Sequence, residues 1–203
     1  LEDAVKEHSK EIFGEDSYYF DLKQKLTPKS GIASIPDGYV IQLSPPNEWC
    51  IVEAELSIHL PYDHVFAQLG RFITAIPESE VQDDLVEALY GFIWPDKVLK
   101  ASIETEIGPR EIHHFLKDLI SRPPKIVVVI DKAEGVKAAC KALKQDVHVI
   151  EFQTFVREGT ETVHAHMFEP MRITKEPLPP WPSLPPPGEP VYWLTPIKSD
   201  EVK

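Results

Sequence analysis

Trp49-Cys50-Ile51-Val52-Glu53-Ala54-Glu55-Leu56-Ser57 is the stretch on which the reading of this chain turns. Apolar and acidic residues alternate through its second half, which is the two-residue period of a β-strand. In a strand, Cys50, Val52, Ala54 and Leu56 point one way and enter a core, while Ile51, Glu53 and Glu55 point the other way. Two carboxylates on one strand face repel each other. The plain reading is a half-exposed strand with its glutamates in water. The sharper reading is that something positive sits between them.

Working outward, Pro36-Asp37-Gly38 precedes the apolar run Tyr39 to Leu43, and Ser44-Pro45-Pro46-Asn47 separates that run from Trp49 to Leu56. With Ile32 to Ile35 as a first short run, the spacing predicts an antiparallel meander of three strands. A hairpin of that kind sets Asp37 beside the Glu53–Glu55 face. Before it, Glu2 to Phe13 reads as one helix with Gly14 at its C-terminal cap. Ser17 to Leu26 reads either as a second helix or as a strand beginning at Tyr18-Tyr19-Phe20.

After the meander the period changes. Val65, Phe66, Leu69, Phe72, Ile73 and Ile76 form a helical stripe that Pro77 ends. Ser79 is placed to cap a following helix, and Pro109 opens another that runs to Ile120. Ile126-Val127-Val128-Val129-Ile130 is apolar on both faces, as in a central strand of a parallel layer. A helix over 134–143 and a strand over 147–155 complete a βαβ crossover. The fold class expected is therefore α/β.

The chain has 203 residues, 42% hydrophobic and 27% charged, so it can bury a full core. No uninterrupted apolar stretch suits a membrane span. The first residues, LEDAVKEHSKE, carry no apolar signal region, and two distant cysteines, Cys50 and Cys140, suit a reducing compartment; the expected location is cytoplasmic. A net charge of −12 argues against a protein that coats nucleic acid, though a basic groove can sit on an acidic body. There is no phosphate-binding G-x-x-x-x-G-K-[ST] loop, no G-x-G-x-x-G and no G-x-S-x-G.

Of the 20 prolines, nine follow Glu176. We read residues 1–175 as the folded domain and 176–203 as an extended Pro-rich arm. Its Trp181, Tyr192 and Trp193 are costly to leave in water, so the arm is expected to lie along its own domain or a neighbouring copy, which would make a homodimer.

The order of these pieces matters more than any one of them. A helix bearing Glu11, a strand edge with Pro36-Asp37, a strand with Glu53-x-Glu55, a helix with Gln68 and Phe72 four residues apart, and then a βαβ unit follow one another. This resembles the PD-(D/E)XK nuclease superfamily over roughly residues 11–152. The resemblance implies a restriction-endonuclease-like αβββαβ core: a mixed central sheet flanked by helices, here with extra helices and the arm. It implies a Mg²⁺- or Mn²⁺-dependent nuclease acting on DNA, ahead of RNA. Asp37 and Glu53 would ligate the metal, with the Ala54 carbonyl, and Glu55 would position water or bind a second metal. Gln68 would hydrogen-bond a phosphate or order the site, and Glu11 would be an outer acid. Arg71 and Lys23 or Lys25 would contact phosphate, although a solvated helix face is the plainer account of Arg71. The chain departs from the family at Glu55, where a Lys is usual. The competing readings are a non-cleaving nuclease-like fold that binds nucleic acid or serves assembly, and an adaptor that works through its Pro-rich tail.

Several histidines stand outside this scheme. His164-x-His166 sets two imidazoles on one strand face, a metal-binding geometry, yet no third ligand is near in sequence. His59 and His64 flank the start of the Tyr62 helix and either reach substrate or cap it. His113 and His114 read as one inward and one outward helix position.

Overall fold

The computed structural model describes residues 1–171 apart from Ser30, Leu60, Ala142 and Lys144. The Pro-rich arm read over 176–203, and with it the expected dimer contact, lies outside the described residues, as do the side chains of His59 and His64.

Six strands form one mixed sheet in chain order: β1 (Ser17–Phe20), β2 (Gly38–Gln42), β3 (Glu48–Glu55), β4 (Lys125–Ile130), β5 (Val147–Arg157) and β6 (Thr160–Phe168). β1, β2 and β3 run antiparallel, β4 is parallel to both β3 and β5, and β6 returns antiparallel to β5. The all-apolar run 126–130 therefore lies between two parallel neighbours, where both of its faces are covered.

One expectation about the meander is corrected. Its first strand is Ser17–Phe20, which pairs with Tyr39–Gln42. This also settles the choice at Ser17 to Leu26 in favour of a strand. In residues 32–35, Ser34 exchanges two backbone bonds with Leu26, at 2.9 and 3.0 Å, and no named strand forms. Ile32 and Ile35 stay exposed. Pro28 and Pro36 flank the run, and Pro36 has no N–H to give a ladder.

Helices cover both faces. α1 (Glu2–Glu7) and α2 (Ser9–Phe13) lie on one side, where Val5, Ile12 and Phe13 pack on Val40, Cys50, Val52, Val127 and Val129. The single helix expected over 2–13 is broken at His8. Gly14 ends it with φ of 104°, a conformation glycine adopts without penalty. The other side carries α3 (Pro61–Ala75), α4 (Ser79–Ile93), α5 (Lys97–Ile107), α6 (Ile112–Ile120) and α7 (Val136–Cys140). Their apolar stripes, including Leu69, Phe72, Leu85, Leu89, Phe115 and Leu116, meet Tyr39, Ile41, Trp49, Ile51, Ile126, Val128 and Ile130. Ser79 is the first residue inside α4, and the cap position belongs to Glu78, whose side chain makes no capping bond.

No described helix is long and apolar enough to cross a membrane.

Candidate active site

Glu53 stands on the β3 face shared with Trp49 and Ile51, beneath the α3–α7 layer. That face is not a solvent face. Glu53 is 3% exposed and Glu55 9%, so the half-exposed strand with glutamates in water is excluded. Both faces of β3 are core, and the acids are buried at the strand's C-terminal end.

Asp37 reaches the same end from β2. Its backbone N–H donates to the Val52 carbonyl at 3.1 Å, extending the β2–β3 ladder by one residue. Its Oδ2 accepts the Ala54 N–H at 2.8 Å. The carboxyl of Asp37 is thereby tied to the backbone between the two glutamates. Gln68, two turns into α3, donates its amide to the Glu53 carboxyl.

These ties leave oxygens over. Glu53 Oε2 and Gln68 Oε1 are buried without a hydrogen-bond partner among the described residues. An unsatisfied buried acceptor of this kind is expensive and calls for a proton, a water or a cation. Burial, then the charge of Asp37, pushes the Glu53 carboxyl up to about 8, against the weaker opposing effect of the Gln68 bond. Asp37 is also raised, first by burial and then by Glu2 and Glu55, with the Ala54 N–H and Lys23 acting against the rise. Glu55 borders the group, and its Oε1 accepts the Leu56 N–H at 3.2 Å.

The cation nearest these acids comes from the linker after β1. Lys23 Nζ donates to the Asp37 carbonyl at 2.9 Å and lies 3.7 Å from Asp37 Oδ1. It also pairs with Glu2 and lies 3.7 Å from Asp21. Tyr19 donates weakly to the same Asp37 carbonyl at 3.4 Å.

The site residues expected from sequence are thus only partly gathered. Asp37, Glu53, Gln68 and Lys23 come together with Glu55 beside them. Glu11 stands on the exposed side of α2, 3.9 Å from His8, and the acid of the N-terminal helices that acts on Asp37 is Glu2. Lys25 is exposed, and Arg71 is half-buried on α3. Glu2 and Tyr19 are members of the site that spacing did not single out.

The donors are hard oxygens, two of them buried acceptors without partners, and these suit a divalent cation such as Mg²⁺. Among the described residues no group of three or more His, Cys, Asp and Glu side chains is placed to hold a metal ion.

A concavity of about 530 Å³ opens at the opposite end of β3 and β4. It is lined by Trp49, Leu119, Arg122 and Lys125 among others, and none of the acids described above takes part in it.

Comparison with protein-family models, curated proteins and solved structures finds no match to this chain.

Proposed function

We propose that this chain is a metal-dependent phosphodiesterase with a restriction-endonuclease-like core, acting on DNA ahead of RNA. The observation that carries the reading is the buried Glu53 carboxylate with one oxygen unpartnered, set beside Asp37 at the end of β3. The element order supports it: two short helices, an antiparallel β1–β2–β3, helices, and a fourth strand parallel to the third. That succession is compatible with the αβββαβ order that the resemblance implies, and Asp37 and Glu53 meet at one end of it, while Glu11 does not join them.

In this reading Asp37 and Glu53 hold Mg²⁺ or Mn²⁺, which neutralises charge on the phosphodiester and lowers the pKa of water. Gln68 fixes the Glu53 carboxyl through its amide. Glu55 orients the attacking water. Lys23 acts against the rise of the Asp37 carboxyl and offers an ammonium for a phosphate oxygen, a cation brought by the linker where β3 itself carries Glu55. Water adds at phosphorus and an ester oxygen leaves.

The test is cleavage of single- and double-stranded DNA and RNA with Mn²⁺ or Mg²⁺, comparing the parent with Asp37→Asn and Glu53→Gln. Cleavage of DNA by the parent, lowered at least about 100-fold in either variant, is expected. Equal cleavage by parent and variants would rule out the mechanism. Binding of DNA by a parent that cuts nothing would move the chain to the non-cleaving reading.

A further inference from the structure

The face of β5 and β6 turned toward α1 and α2 meets those helices at a pair of histidines that sequence spacing leaves apart. Along β6 alternate residues share a face, so His164, His166 and Phe168 stand together, opposite Val156, Thr154 and Phe152 in register. Across from this row is His8, at the break between α1 and α2. Its N–H donates to the Ala4 carbonyl at 3.0 Å, and its own carbonyl accepts the Ile12 N–H at 3.0 Å. His8 is therefore hydrogen-bonded into both helices. The ring centroids of His8 and His166 are 4.9 Å apart. Phe152 and Phe168, stacked at 5.0 Å, form an apolar floor against which both rings rest.

We propose that the His8–His166 contact is a proton-operated latch: with both imidazoles neutral it holds the break in the N-terminal helices against the β5–β6 hairpin, and protonation of the pair releases it. The latch rests on different residues from the carboxylate site and does not depend on the function proposed for it.

The charge on the two rings decides whether the contact holds. Neutral imidazoles resting on a stacked Phe pair are ordinary aromatic packing. Two imidazolium ions at the same separation repel, and the apolar floor beneath them reduces the screening that water gives. Charged and polar groups face the pair from each neighbouring element. From α1 comes Glu7, from α2 Glu11 with its Oε1 3.9 Å from His8 Nδ1, from β6 His164, and from β5 the Thr154 hydroxyl, 3.0 Å from His166 Nδ1. Glu7 and Glu11 favour a first proton, although Glu11 is more than half exposed and water weakens its help. His164, once protonated, adds a third like charge. The second proton on the pair therefore meets a repulsion that the two glutamates only partly offset.

The direction of the pH response follows. Burial, then the neighbouring His8 and His164 rings, hold His166 below its ordinary pKa of 6.5, against the opposing charge of Glu7. The unfolded chain binds this proton more readily than the folded one. The stability that the neutral contact contributes is therefore present above pH 6.5 and declines as pH falls below it. Release is local. Val5, Ile12 and Phe13 are fully buried, and the Met171 N–H donates to the Ile12 carbonyl at 2.8 Å. These ties keep α1 and α2 on the sheet while the break at His8 opens.

The experiment follows amide hydrogen exchange and imidazole titration by NMR in the full chain between pH 7.5 and pH 5, for the parent, His8→Gln, His166→Gln and the double variant. In the parent, protection of the Ile12 amide, bonded to the His8 carbonyl, should fall about tenfold or more on acidification, while protection of Val127 and Val128 in β4 holds. Each single variant should lose most of that response, and the double variant all of it. His8→Gln should also raise the pH at which His166 titrates, because a neighbouring cation is removed. Equal protection of Ile12 in the parent at the two pH values overturns the proposal. So does an equal fall in the double variant, which would assign the response to other groups, and so does a fall shared by β4, which would be acid unfolding of the whole domain. A His166 titration that His8→Gln leaves in place overturns the pairing of the two rings.

Discussion

Glu48 and Glu53 stand at the two ends of one strand, and the fold treats them in opposite ways. Glu48 Oε2 accepts from Lys125 Nζ at 2.6 Å, a cation supplied by the first residue of the parallel neighbour β4. Five residues on, Glu53 faces Val128 in that same neighbour and is left with an unpartnered oxygen beside another acid. An acid with a structural place receives its counter-charge from the fold. An acid that does not receive one costs stability, and the chain keeps it only if something outside the chain completes it. The difference between these two ends, more than the acidity of either, is what the function proposed for Glu53 rests on.

The largest effect that can break this comparison is on stability against pH. The Glu53 carboxyl is raised from 4.5 to about 8 in the folded protein. Its contribution is therefore fully present below the unfolded pKa and is lost as pH rises through about 8. Glu53→Gln should stabilise the metal-free protein by roughly 2–4 kcal/mol at pH 9 and hardly at all at pH 4. Denaturant unfolding at several pH values measures this, and parallel curves for parent and variant would remove the claim that Glu53 is held against its charge. Mn²⁺ should raise the stability of the parent at pH 9 and not that of the variant.

The opposite sign is expected at the other end of β3. Lys125→Met leaves Glu48 half-buried beside an apolar side chain, which should cost about 1–2 kcal/mol at neutral pH. The pair is partly open to solvent, so the loss stays below that of a fully buried pair. A variant as stable as the parent in thermal unfolding would mean that Glu48 is no better satisfied than Glu53.

Much of this arrangement could be read from the residues, and the failures have physical causes. The runs at 49–56 and 126–130 are long and strongly patterned, so both strands, and the parallel setting of the second, follow from apolar content, whereas the parallel pairing of the two with each other was not read. Asp37, Glu53 and Gln68 lie at fixed offsets from those strands and come together with them. The first strand escaped because Ser17–Phe20 and 32–35 are both short, and only tertiary pairing separates them. Helix α5 buries Ile103 alone, so it has hardly any apolar stripe to read. Its signal was the cap: Asp96 accepts from the N–H groups of Val98 and Leu99, both at 3.0 Å. Strand β6 was seen only as a pair of histidines, because its outward residues dilute the alternation. The break at His8 decides which acid of the N-terminal helices faces Asp37, and helical periodicity across 2–13 hides it.

A backbone position sharpens the comparison at the Glu53 end. A methyl group on Gly38 would sit 2.3 Å from the Tyr19 hydroxyl oxygen and 2.4 Å from its ring. Gly38 follows Asp37 directly, so the close approach of Tyr19 depends on the missing side chain. Gly38→Ala should cost about 1–2 kcal/mol through displacement of that ring. Gly38→Ala combined with Tyr19→Phe, which removes the nearest atom, should recover part of it. Melting curves in which Gly38→Ala matches the parent would show that Tyr19 does not pack against this turn.

The smallest expected effect distinguishes two acids of the N-terminal helices. Glu2 pairs with Lys23 and raises the Asp37 carboxyl, whereas Glu11 stands beside His8 on the exposed side of α2. Glu2→Gln removes a like charge from the neighbourhood of Asp37, so Asp37 should ionise at lower pH. The acidic limb of the cleavage profile, to which the ionisation of Asp37 contributes beside that of Glu53, should then move to lower pH. Lys23, with one anion fewer to serve, should also turn more fully to Asp37, in the same direction. Glu11→Gln should leave the limb where it is, because Glu11 has no part in the charge around Asp37. A shift with Glu11→Gln and none with Glu2→Gln would return the outer acid to α2 and break the assignment of Glu2.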